Sequence, residues 1–119
     1  MSGNFGDLDN DGWLDFYLGT GGPDYRALVP NRMFRNADGN AFQDVTTSGG
    51  FGHLQKGAAI AFGDVNNDGA QDVYSVLGGE VPGDRFQRAL FVNPGTTNRW
   101  IIVRLEGVVS NLAIGLVSK

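Results

Sequence analysis

Cysteine is absent from the 119 residues, which excludes disulfides, thiolate metal sites and cysteine nucleophiles. Histidine occurs once, as His53, near Lys56 in a Gly-rich passage. No serine or carboxylate is spaced around it as a recognisable triad, so it reads as a loop residue. No apolar run approaches the roughly 18 residues that a membrane helix needs, and no membrane span is expected. Met1 to Gly6 lacks the basic and apolar regions of a signal peptide. No stretch keeps a helical 3.6-residue period over ten residues, which leaves strands and turns. Gly19-Thr20-Gly21-Gly22 has the glycines of a phosphate loop but neither the following lysine nor a helix, so it reads as a turn. No nucleic-acid partner is expected.

Asp and Asn are what the chain has in an unusual arrangement. Asp7-Leu8-Asp9-Asn10-Asp11-Gly12-Trp13-Leu14-Asp15 is matched in spacing by Asp64-Val65-Asn66-Asn67-Asp68-Gly69-Ala70-Gln71-Asp72. Side-chain oxygens fall at positions one, three, five and nine, and Gly at position six permits a tight backbone turn. The backbone carbonyls of Trp13 and Ala70 stand at position seven. This is a loop for a hard cation, so two structural calcium ions are expected. Asp7, Asp9, Asp11, Trp13 and Asp15 would hold one, and Asp64, Asn66, Asp68, Ala70 and Asp72 the other. Four carboxylates within nine residues would repel one another without a cation, and the second loop, with one charge fewer, should bind more weakly. An EF-hand would carry Glu at position twelve and a helix beyond it. Here that position is Leu18 or Ser75, and the following residues are aromatic and β-branched, so the loops belong in β-hairpins.

Of thirteen acidic residues, seven lie in the two loops, and the remaining six face nine Lys and Arg. The acidity therefore belongs to the candidate metal sites. Nineteen glycines, against a usual share of roughly 7%, suit many tight turns between short strands. Strands are expected at 15–19, 32–36, 41–46, 58–62, 72–77, 88–92 and 100–105, with Asp38-Gly39 a type I′ hairpin turn. The 58–62 strand, made of small and apolar residues, should be buried on both faces. Phe5, Phe16, Phe34, Phe42, Phe62, Phe91 and Trp100 read as mostly core, and Trp13 as the aromatic most exposed. The arginines alternate with apolar residues along strands and read as a solvated sheet face.

The loops are 57 residues apart, and each is followed by strand, connection, strand, turn and strand, a period that fits propeller blades. The fold expected is all-β: two β-propeller-type blades of four-stranded antiparallel sheet forming a partial propeller. The first blade should be truncated, because only a stub precedes Gly6, and the second complete. The 119 residues read as a single domain, with repeat one at 3–56 and repeat two at 57–107.

Phe5-Gly6-Asp7-Leu8-Asp9-Asn10-Asp11-Gly12 and Phe62-Gly63-Asp64-Val65-Asn66-Asn67-Asp68-Gly69 resemble the FG-GAP, or VCBS-type, repeat of integrin-like β-propellers. Asn31-Arg32-Met33-Phe34-Arg35-Asn36 and Phe42-Gln43-Asp44-Val45-Thr46 resemble a further stretch of the same repeats. The end, from Asn98-Arg99-Trp100 to Gly107, with Ser110-Asn111 and Ala113-Ile114-Gly115, is similar to a shortened ASPIC/UnbV segment, giving a tail at 93–119. The resemblance implies a non-enzymatic, calcium-stabilised module for protein interaction or adhesion, of a kind usually secreted or on the cell surface. Two blades where a propeller needs at least four imply self-association, with two to four copies completing a propeller-like ring or exchanging the orphaned strand. Two other readings are a carbohydrate- or small-ligand-binding protein using Trp13 and Tyr25–Arg26, and a metal-dependent hydrolase.

Overall fold

The computed structural model describes residues 1–104 except Pro23, Tyr25, Ala27 and Glu80. Seven strands are present among them: β1 (Ser2–Gly6), β2 (Asp15–Gly19), β3 (Arg32–Ala37), β4 (Ala41–Asp44), β5 (Gly57–Gly63), β6 (Asp72–Leu77) and β7 (Gln87–Phe91). All pairings are antiparallel. They form one four-stranded sheet, ordered β1-β2-β3-β4, and one three-stranded sheet, ordered β5-β6-β7. The aromatic and β-branched residues that follow each loop account for β2 and β6, which lie where the sequence places them. The β3–β4 hairpin turns through Asp38 (φ 53°) and Gly39 (φ 71°), both left-handed as a type I′ turn requires.

The distribution of strands between the blades reverses the expectation. The first blade, expected to be truncated, has four strands, because Ser2–Gly6 is long enough to pair with β2 from Ser2↔Gly19 to Gly6↔Asp15. The second has three strands among the described residues. Trp100 to Arg104 forms no strand, and Trp100 instead lays its indole against Gly69, where a Cβ would lie 1.8 Å from the ring. Leu105 and the rest of the ASPIC/UnbV-like tail lie outside the described residues. Strand β4 ends at Asp44, short of Thr46: Val45 N–H still reaches the Met33 carbonyl at 2.9 Å, but the Met33 N–H donates to the Thr46 hydroxyl at 3.0 Å. Nor is β5 buried on both faces. Ile60 and Phe62 turn toward the other sheet while Ala59 and Ala61 are exposed. Phe5, Phe42 and Trp100, expected in the core, are about half exposed, as is Trp13.

The two sheets repeat one another residue for residue. Phe5↔Phe16 and Phe16↔Phe34 in the first correspond, 57 positions on, to Phe62↔Val73 and Val73↔Phe91 in the second. Their packing is back to front. The face of the first sheet that carries Tyr17 and Met33 meets the face of the second that carries Phe62, Val73 and Phe91. Tyr17, Met33 and Val73 are wholly buried there. Each contributes about 1.5–3 kcal/mol by leaving water. The Tyr17 hydroxyl, which would otherwise be stranded in this core, donates to the Phe51 carbonyl at 3.0 Å. The two backbones come close where β5 begins beside the end of β2: a Cβ on Gly57 would lie 2.5 Å from the Gly19 Cα. Asn4 adds a bond across the same interface, from its Nδ2 to the Ile60 carbonyl at 3.1 Å.

Residues 45–56 connect the blades. Buried Asn31 anchors them: its Oδ1 accepts from the Thr20 N–H at 2.8 Å, and its Nδ2 donates to the Gln55 carbonyl at 3.3 Å. Lys56 is buried as well, and its ammonium donates to the carbonyls of Gly22 and Asp24.

Candidate metal centre

Each Asp-rich loop joins the first two strands of its blade, and the backbone geometry of the two loops is the same. Position four is left-handed in both (Asn10, φ 54°; Asn67, φ 59°), as is the glycine at position six (Gly12, φ 91°; Gly69, φ 86°). Asparagine and glycine tolerate this conformation with least strain. The first aspartate then caps the turn. Asp7 accepts from the N–H groups of Asp11 (3.1 Å) and Gly12 (2.9 Å), and Asp64 from those of Asp68 (3.1 Å) and Gly69 (2.8 Å). The fifth residue repeats the pattern, with Asp11 accepting from Trp13 N–H and Asp68 from Ala70 N–H. The ninth closes the loop. Asp15 accepts from Leu8 and Asn36 N–H, and Asp72 from Val65 and Asn93 N–H.

The loops differ in what their remaining oxygens do. In the first, Asp7, Asp9 and Asp15 each place a carboxylate oxygen so that all three lie within 4.8 Å of one another. Asp9 Oδ1 and Asp11 Oδ2 are buried and have no hydrogen-bond partner. Burial chiefly raises the pKa of Asp15, and the nearby charges of Asp9 and Asp11 add to it, against the two N–H bonds that favour its charged form. A divalent cation would relieve each of these penalties at once. Arg35, from β3, supplies a positive charge there: its guanidinium reaches Asp9 at 2.5 Å and Asp11 at 3.6 Å. In the second loop the amide of Asn66 donates to Asp68 Oδ2 at 2.8 Å, and the position equivalent to Arg35 is Val92. Among the described residues its carboxylates do not gather as those of the first loop do.

The sequence places Asp7, Asp9, Asp11, Trp13 and Asp15 in one loop and Asp64, Asn66, Asp68, Ala70 and Asp72 in the other. The structure also brings the two loops together. Asn10 Nδ2 donates to the Gly69 carbonyl at 3.0 Å, and Asp7 N–H donates to Gln71 Oε1 at 3.0 Å. Asn98 Nδ2 donates to the Asp9 carbonyl at 2.8 Å. Asn93 Nδ2 bridges the Leu8 carbonyl (2.7 Å) and the Gln71 carbonyl (3.2 Å). Sequence reasoning missed these residues and Asn36, the counterpart of Asn93, whose Nδ2 donates to the Leu14 carbonyl. The signal was present, since Phe34-Arg35-Asn36 and Phe91-Val92-Asn93 share the loops' own 57-residue offset. His53 lies in the connection, its N–H bonded to Phe51 and its carbonyl to Asn31 N–H.

A family model for the FG-GAP-like repeat matches residues 3–75, more than half of the chain. The chain belongs to the FG-GAP-like repeat family. The matched span of this FG-GAP-like protein takes in both Asp-rich loops, the first sheet and β6 up to Ser75. The ASPIC/UnbV-like tail lies beyond it. No curated protein matches the chain. No solved structure matches it either. The all-β fold and the repeat fit β-propeller blades, and the family suggests a module for protein interaction or adhesion, generally without catalysis.

Proposed function

We propose that this chain is a non-enzymatic, calcium-stabilised interaction module that associates with further copies of itself. What carries the metal reading is the first loop. It combines three carboxylate oxygens within 4.8 Å of one another and buried oxygens on Asp9 and Asp11 that lack hydrogen-bond partners. Asp7, Asp9, Asp11 and Asp15, with the Trp13 carbonyl, would hold one calcium ion. Asp64, Asn66, Asp68 and Asp72, with the Ala70 carbonyl, would hold a second and weaker one. Calcium prefers such oxygen-only, charge-rich sites, and affinities near 10⁻⁴–10⁻³ M are usual for extracellular modules. The metal's part is structural: it neutralises the loops and fixes the turn that joins the first two strands of each blade.

Terbium luminescence tests the sites, because Trp13 lies in the first loop and the Trp100 indole rests on Gly69 of the second. Two sensitised components, both displaced by calcium, are expected, with Asp7→Asn removing the stronger and Asp64→Asn the weaker. Absence of sensitised emission, together with flat calcium calorimetry, would overturn the metal reading. A second reading, ligand binding, is favoured by a cavity of about 460 Å³ between the blades, lined by Leu8, Phe51, Val73, Phe91 and Asn93. A glycan array separates the two, since a saturable, sugar-specific signal would support the ligand reading. Tyr25, part of the rim first suspected for that role, lies outside the described residues.

A further inference from the structure

The interface inside the chain shows what kind of surface fits each of two exposed faces among the described residues. The blades pack back to front: Asn4, Tyr17 and Met33 of the first sheet lie against Phe62, Val73 and Phe91 of the second. Each surface has a counterpart on the other blade, 57 residues away. On the first blade the counterpart of the Phe62–Val73–Phe91 surface is the row Phe5–Phe16–Phe34, on the sheet's other side. Phe5 and Phe16 stand 4.6 Å apart between ring centres, and Phe16 and Phe34 6.4 Å. On the second blade the counterpart of the Asn4–Tyr17–Met33 surface is Ala61, Tyr74 and Leu90. Phe5 is 53% exposed, Tyr74 37% and Leu90 48%. These are large apolar groups on the two opposite sides of the pair.

We infer that the two faces are complementary to each other, and that a second copy of this chain docks its Tyr74–Leu90 face on the Phe5–Phe16–Phe34 face. The contact repeats between chains the operation that already relates the blades within one. This rests on the self-association proposed above and specifies its geometry. The contact is heterologous: the Tyr74–Leu90 face of one copy meets the Phe5–Phe16–Phe34 face of the next, so assembly runs head to tail. An isologous dimer, with like face on like face, would instead bury the same patch twice.

The test uses two variants that block opposite faces. Phe5→Asp blocks one and Leu90→Asp the other, both at half-exposed positions, with Tyr74→Arg as a second block of the Leu90 face. Circular dichroism confirms that each still folds. By sedimentation, with calcium present, wild type is expected as an oligomer and each variant alone as a monomer. An equimolar mixture of Phe5→Asp and Leu90→Asp is expected to give a 1:1 dimer, since each supplies the face the other lacks. A monomeric wild type at about 0.5 mM, well above the micromolar range of specific association, would sink self-association and this geometry with it. An oligomeric wild type whose variants still assemble, or whose variants fail to complement, would overturn the geometry alone.

Discussion

Asn93 offers a way to weigh the bonds between the blades, because Asn36 provides an internal control at the matching place. Asn36 lies near the end of β3 and Asn93 two residues beyond β7, and both steady the loop of their own blade. Asn36 makes two bonds, donating to the Leu14 carbonyl at 3.2 Å and accepting from Gly39 N–H at 3.0 Å. Asn93 makes three: it donates to the Gln71 carbonyl at 3.2 Å, accepts from Gly95 N–H at 3.0 Å, and crosses to the Leu8 carbonyl at 2.7 Å. At about 1 kcal/mol net for each bond, Asn36→Ala should cost about 2 kcal/mol and Asn93→Ala about 3 kcal/mol. The excess of about 1 kcal/mol belongs to the contact between blades. Urea denaturation in excess chelator removes any contribution from metal, and equal slopes would show that the comparison is between like states. In a thermal scan the excess appears as a further fall of about 4–8 °C. Asn93→Asp keeps the acceptor but places an oxygen against the Leu8 carbonyl, so it should be at least as harmful as the alanine. If Asn93→Ala costs no more than Asn36→Ala, the reasoning that ties the loops together through Asn93 is wrong.

Arg35 competes with a metal ion for Asp9 and Asp11, so Arg35→Gln should tighten calcium binding at the first loop by about twofold to fivefold in low salt. The second loop, with Val92 in the equivalent place, should be unchanged; calorimetry showing weaker binding at the first loop would mean that Arg35 positions the carboxylates instead. Burial pushes the Tyr17 phenol up to about 12. Because that folded value lies above the usual value of about 10, the stabilisation is fully present below pH 10 and fades as pH rises toward 12. The loss reaches about 2–3 kcal/mol, and urea midpoints from pH 9 upward should fall less steeply in Tyr17→Phe. Gly57→Ala should cost about 1–3 kcal/mol by forcing β5 away from β2. Gly63→Ala, where a Cβ meets nothing within 4 Å, should stay within about 0.5 kcal/mol of wild type in the same denaturation assay.

The loops and the strands beside them were legible because their signals are local. Alternating side-chain oxygens around Gly12 and Gly69 fix the turn, and runs such as Asp72 to Leu77 suit a pleated surface without help from distant residues. Strand β1 was missed because Gly3 and Asn4 carry little apolar pattern, and what makes them a strand is the partner that the first loop delivers. The opposite error fell on Trp100 to Arg104, where β-branched residues read as a strand but form none among the described residues, and Trp100 rests on Gly69. Burial was the least legible property. Small residues at Ala59 and Ala61 suggested a strand enclosed on both sides, but which side is covered depends on how one blade stacks on the next. Asn36 and Asn93 were hidden for a different reason: a single asparagine carries no pattern until its 57-residue counterpart is set beside it.

The placement of Lys56 has a practical consequence for chemical labelling. The chain has two lysines, Lys56 and Lys119, and the first is sealed between the Gly22 and Asp24 carbonyls at the join of the two blades. An acylating reagent can reach that amine only when the join lets go. The rate at which Lys56 becomes modified under native conditions is therefore a clock for local opening of this contact. Read by mass spectrometry, it times the release of Lys56 from the Gly22 and Asp24 carbonyls without any engineered probe.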